Sequence, residues 1–146
     1  ISPRWLRTES VDFGRGFGSA RGHSHPLRDR LEINRRVSPA VRFLFEDPGH
    51  NAAAYHPDNR GKPELIPQGA AVWDSGFKNS GQEFEVSLST EGVHHYYCLP
   101  HEGLGMVGMI AVGDASKGPG LDAVENADIP GKAKQLFREL HNELKE

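Results

Sequence analysis

The chain has almost no sulfur: one cysteine and two methionines among 146 residues. A lone cysteine excludes an intrachain disulfide, so cysteine count alone says nothing about redox compartment. No apolar run approaches the ~20 residues needed to cross a bilayer. No Gly-Lys-Ser/Thr follows the glycine-rich stretch Gly14 to Gly22, and no strand pattern precedes it, which excludes a phosphate loop. That stretch is one short run without repeated aromatic interleaving, so nucleic-acid binding is not expected. Lysine is absent from the first 42 residues, which carry nine arginines and four acids, whereas the remainder carries eight basic residues and sixteen acids. The imbalance reads either as a solvated basic arm on an acidic domain or as a surface that steers a charged partner. Residue 1 is Ile rather than Met, so a processed or trimmed start is expected, with any signal peptide or lipid anchor outside the chain.

What is present suits one soluble globular domain: hydrophobic residues make up 36% and charged residues 25%. Weak alternation at Leu31-Glu32-Ile33 is followed by a clearer strand at Val41 to Glu46, ended by Asp47-Pro48-Gly49. Three prolines and two glycines make residues 56–69 irregular. Further strands are expected at Ala70–Ser75, at Glu83–Leu88 with one wet and one buried face, at Val93–Cys98 and at Gly105–Val112. Such short, punctuated strands predict an all-β Greek-key sandwich. After Pro130, Ala133, Leu136, Phe137, Leu140 and Leu144 recur at helical steps and predict an appended amphipathic helix of about four turns. The expected organisation is an irregular basic segment, or part of the first strands, over 1–29, a binding domain over 30–114 and a helical extension over 115–146.

The scarce sulfur is concentrated. Tyr97-Cys98-Leu99-Pro100-His101-Glu102-Gly103-Leu104-Gly105-Met106 puts the only thiol, an imidazole and a thioether on one loop. Those soft and borderline donors suit copper, and two histidines, a cysteine and a weak axial methionine form the blue-copper electron-transfer set. A second histidine must come from elsewhere: His50, His56, His94 and His95 are candidates, while His23 and His25 alone make a weak site. Pro100 removes one N–H near the sulfur, where hydrogen bonds tune a metal–thiolate bond.

This loop resembles the copper loop of the cupredoxins, most closely the plastocyanin, pseudoazurin and halocyanin group, whose Tyr-Cys-x-Pro-His-x-x-x-Gly-Met-x-Gly pattern runs here from Tyr97 to Gly108. A second match is Pro48-Gly49-His50-Asn51, after the Phe43–Glu46 strand. The resemblance implies a cupredoxin sandwich with one type 1 copper held by His50, Cys98, His101 and Met106. It implies that Asn51 braces the two ligand loops, with its amide facing the sulfur. It further implies that Tyr97, Gly103 and Leu104 meet redox partners, a cytochrome or a copper or haem oxidoreductase acting as donor or acceptor. The location implied is the periplasm or an extracytoplasmic membrane face, with membrane association only through a removed anchor. The chain is then an electron carrier and not an enzyme. The alternative is a copper domain of, or subunit associated with, a copper oxidoreductase, although no further histidine cluster is evident. A copper store fits poorly with so few sulfurs; zinc on Cys and two His remains a redox-silent rival.

Overall fold

A computed structural model describes residues 5–12, 16–17, 28–33 and 40–144. His23, His25 and most of the Gly/Arg stretch lie outside these described residues. Among the described residues, eight strands make two four-stranded sheets. The first sheet has the order β2 (Gly16–Phe17), β1 (Leu6–Asp12), β4 (Ala40–Phe45), β6 (Glu83–Ser87), all antiparallel. The second has the order β3 (Arg28–Ile33), β8 (Val107–Val112), β7 (Gly92–Tyr97), β5 (Ala53–Ala54). Here β3 runs parallel to β8, and the other pairs are antiparallel. The chain passes repeatedly between the layers, which gives the Greek-key β-sandwich that the strand pattern predicts.

The period of two decides what each layer buries. Val41, Phe43 and Phe45 of β4 point between the sheets and meet Tyr96, Cys98, Ile110 and Val112 of the second layer in one buried cluster. Aromatic rings form its centre: Phe43 lies 5.0 Å from Trp73, 5.9 Å from Phe84 and 5.2 Å from Tyr96, the last edge-on.

The sequence leaves 1–29 as an irregular segment or part of the first strands, and within it β1 pairs with β4 from Leu6↔Phe45 to Val11↔Ala40. Its buried Leu6 and Thr8 flank exposed Arg7, and the buried Trp5 indole donates to the Asn51 carbonyl at 3.1 Å. Ala70–Ser75 is not a strand but carries one isolated bridge, Asp74 to Ala53. Gly69 and Gly76, both at positive φ, bracket it, and the Asp74 carboxylate accepts the Gly76 amide at 2.9 Å, which turns the chain away from a ladder.

Helix α1 (Leu121–Glu125) and helix α2 (Gly131–Leu144) follow the last strand. Ala133, Leu136, Phe137 and Leu140 of α2 cover the outer face of the second sheet, against Tyr55, Val93, Tyr97, Val107 and Met109. One polar contact sits within this interface. His95 Nδ1 lies 2.7 Å from the Leu65 carbonyl and its Nε2 lies 2.9 Å from His141 Nε2. Burial pushes His95 from 6.5 down to about 3, and the nearby His141 adds to the effect. The unfolded chain therefore binds a proton on this residue between pH 6.5 and about 3 that the folded chain refuses. Stability is expected to fall as pH drops through that window, by up to about 1.4 kcal/mol per pH unit from this group. Urea unfolding at pH 7, 5.5 and 4.5 measures it, and His95→Gln is expected to flatten the slope.

Candidate metal centre

Cys98 follows β7 in an extended conformation and opens a 3₁₀ turn, Leu99–Leu104, with Pro100 in its first positions. The Cys98 amide donates to the Met106 carbonyl at 3.0 Å, and the Met106 amide donates to the His101 carbonyl at 3.2 Å. These bonds fold the loop back on itself. Gly105 permits the return with φ +91°, and a Cβ there would meet Leu136 Cδ1 at 2.6 Å and Lys132 Cγ at 2.9 Å. Helix α2 thus lies against the loop, and the position takes only glycine.

His50 arrives from the other loop. Its carbonyl accepts the Lys78 amide at 2.9 Å, and the Gly49 amide donates to the Lys78 carbonyl at 3.1 Å, so this turn is fixed against residues 76–79. His50 Nδ1 stands 3.7 Å and His101 Nδ1 3.6 Å from Cys98 Sγ. All three donor atoms lie within 4.8 Å of one another. Ligands at ordinary metal bond lengths of about 2.0–2.3 Å around a trigonal ion are separated by about 3.5–3.8 Å. The donor set and its spacing therefore fit a metal ion. Met106 is fully buried in the same cluster as Cys98. Among the described residues this is the one group of three or more His, Cys, Asp or Glu that could hold an ion.

Burial pushes the Cys98 thiol up to about 11, while the Asn51 and His101 amides pull the other way. His50 is held below its usual value by burial and then by His101, with Asp47 opposing. Both shifts favour the uncharged forms of these two groups, so a metal must displace the thiol proton to bind.

The other described histidines lie apart. His94 Nε2 meets the Thr90 carbonyl at 2.9 Å, His95 faces α2, and His56 Nδ1 accepts the Asp58 amide at 3.0 Å on the surface. Pro100, Gly103 and Leu104 are exposed, Leu104 to 61%. His101 is half-buried, whereas His50 and Cys98 are buried. Tyr97 requires a correction as a docking residue: its relative exposure is 0%. Its hydroxyl receives Arg60 Nη1 at 3.0 Å and donates to the Asn59 carbonyl at 3.2 Å. The Lys62 ammonium sits 5.2 Å from its ring centre.

Asn51 was marked by the resemblance, whereas Asp74, Arg60, Glu102 and Phe77 were not singled out by sequence pattern. Asn51 Oδ1 accepts the Leu99 amide at 2.7 Å, and its Nδ2 donates to Asp74 Oδ1 at 3.2 Å. Asp74 Oδ2 takes Arg60 Nη2 at 2.7 Å. Burial opposes ionisation of Asp74, but hydrogen bonds from Gly76, Arg60 and Asn51 outweigh it and keep its pKa below the usual value. Beside His101, buried Glu102 accepts Tyr55 Oη and Lys62 Nζ, each at 2.6 Å. The only hint in the sequence is that Glu102 adjoins a candidate ligand. Phe77, 60% exposed, adjoins the Lys78 bridge to His50.

Comparison with known proteins agrees with this geometry. A model of the copper binding proteins of the plastocyanin/azurin family matches residues 31–113. Pseudoazurin of Paracoccus pantotrophus is 32% identical over 95 residues, covering 65% of this chain and 57% of its own length. Pseudoazurin of Methylorubrum extorquens is 34% identical over 86 residues, covering 59% of this chain and 51% of its own. The chain thus spans little more than half the length of these relatives. A solved pseudoazurin from Sinorhizobium meliloti superposes with TM-score 0.62 at 30% identity, covering 80% of this chain and 83% of that one.

Proposed function

Because this chain belongs to the plastocyanin/azurin family of copper binding proteins, we propose that it is an electron carrier with one type 1 copper ion held by His50, Cys98, His101 and Met106. The observation that carries the reading is the triangle of Cys98 Sγ and two Nδ1 atoms at 3.6 and 3.7 Å, ready at trigonal spacing. When bound, copper supplies a one-electron valence change. The chain keeps the ligands in place while that happens. Backbone bonds close the Cys98–Met106 loop, Lys78 fixes the His50 turn, and the two sheets lie beneath both.

His101 is the half-buried ligand and so the route for the electron. Exposed Leu104, Gly103 and Pro100 border it on one loop, and Phe77 lies next to the segment bridged to His50. A small apolar surface of this kind favours brief docking of a redox protein. The partners are donor and acceptor redox proteins, met in the periplasm or on an extracytoplasmic membrane face. Among the described residues no helix is long and apolar enough to cross a membrane.

A metal assay combined with electron paramagnetic resonance and visible absorption of the oxidised protein tests the reading. One copper per chain is expected, with an intense thiolate-to-copper band that bleaches on reduction. A colourless protein that takes zinc in preference to copper would overturn it. Replacing Met106 with Leu is expected to leave copper bound and to raise the reduction potential, because the weak axial donor is lost. Voltammetry reads the shift, and an unchanged potential would remove Met106 from the ligand set.

A further inference from the structure

We propose that Arg60 is a positioning residue for the cysteine ligand, closing a ring of hydrogen bonds around the Cys98 loop. The inference rests on the copper reading of this site. The ring can be followed atom by atom. Arg60 Nη2 donates to Asp74 Oδ2 at 2.7 Å. Asp74 Oδ1 accepts Asn51 Nδ2 at 3.2 Å. Asn51 Oδ1 accepts the Leu99 amide at 2.7 Å. From Leu99 the covalent chain runs back through Cys98 to Tyr97, whose hydroxyl receives Arg60 Nη1 at 3.0 Å. One guanidinium therefore joins the two arms, one through the residue after His50 and the other through the residue before Cys98.

Each link has a physical role. The Asp74 carboxylate accepts only, so it holds the Asn51 amide with nitrogen toward itself and oxygen toward Leu99. An arginine, with its planar fork of donors, reaches a carboxylate and a phenol at once; a lysine carries its donors on a single nitrogen. The backbone is adapted to the task. Arg60 sits at φ +65°, the one non-glycine at positive φ among the described residues. Such a conformation is strained and persists where surrounding contacts over-determine it. Asn59 supplies some of those contacts, donating to the Ala54 and Trp73 carbonyls, both at 2.9 Å. Residues 59 and 60 of the irregular segment 56–69 are thereby tied to Tyr97, the residue before the cysteine ligand.

The test compares Arg60→Ala, Arg60→Lys and Asp74→Ala with Asp58→Asn, an exposed position on the same segment. Partners of metal ligands typically contribute about 10–100-fold to metal affinity. Arg60→Ala is expected to weaken copper binding at least tenfold and to shift the thiolate-to-copper band. In the metal-free protein it is expected to speed hydrogen exchange at the Leu99 amide about tenfold or more. Arg60→Lys should lie between Arg60→Ala and the parent. Asp74→Ala should match Arg60→Ala, and the double variant should add little to either, because each opens the same ring. Asp58→Asn should leave all three readouts unchanged. Leu99 exchange, affinity and band position all within twofold of the parent in Arg60→Ala would overturn the proposal, as would full additivity in the double variant. If Arg60→Ala does not fold by circular dichroism, Arg60→Lys and Asp74→Ala still decide. If the parent takes up no copper, the functional reading fails, while Leu99 exchange in the metal-free variants still judges the ring.

Discussion

Replacing Cys98 with Ser is expected to abolish the visible thiolate-to-copper band completely while leaving a folded β-sandwich. The thiolate is the softest donor of the set and the origin of that absorption. A serine hydroxyl remains protonated near neutral pH and binds copper weakly, so metal affinity should also drop by orders of magnitude. The fold should survive, because the two chemical groups are close in size. Burying a hydroxyl without a partner costs about 1–3 kcal/mol, but the Asn51 and His101 amides that face the sulfur can donate to the oxygen. Absorption, a metal assay and far-ultraviolet circular dichroism on one preparation separate the two effects. A Cys98→Ser protein that remains blue would sink the ligand assignment.

The largest loss of stability is expected from Phe43→Ala. Phe43 is fully buried and is surrounded by Trp73, Phe84 and Tyr96 with ring centres between 5.0 and 5.9 Å. Those partners come from the loop before β6, from β6 and from β7, so no single neighbour can close the cavity. Deleting such a ring costs about 3–5 kcal/mol through lost transfer energy and residual void. Total stabilities are only about 5–15 kcal/mol, so the variant should lie near its folding limit. The urea midpoint measures this, and Phe43→Leu, which keeps most of the volume, should lose clearly less. A Phe43→Ala protein within about 1 kcal/mol of the parent would show that the rings can repack.

Much of the site could be read from residue order because its chemistry is local. Cys98, His101 and Met106 sit on one loop, and the glycine and proline around them favour a tight return. His50 was less certain, since His56, His94 and His95 offer the same ring. Strand alternation separates two of them. His94 stands four residues before Cys98, with its ring at the Thr90 carbonyl, and His95 points to the opposite face, toward α2. The covering of Tyr97 could not be read. It depends on Arg60 and Lys62 folding back from an irregular segment, and no spacing records that they meet residues 37 and 35 positions away. Strand β1 was hidden for a similar reason: its weak alternation acquires meaning only when six successive residues find β4.

The parallel ladder between β3 and β8 also constrains the order of assembly. Arg28–Ile33 is made long before Val107–Val112, its only strand partner among the described residues. Until that strand emerges, β3 has an unfilled row of amides and carbonyls, which invites pairing with other chains. A nascent chain stopped ahead of Val107 would lack the strand that lies between β3 and β7, so the second layer can close only after Val107–Val112 is made.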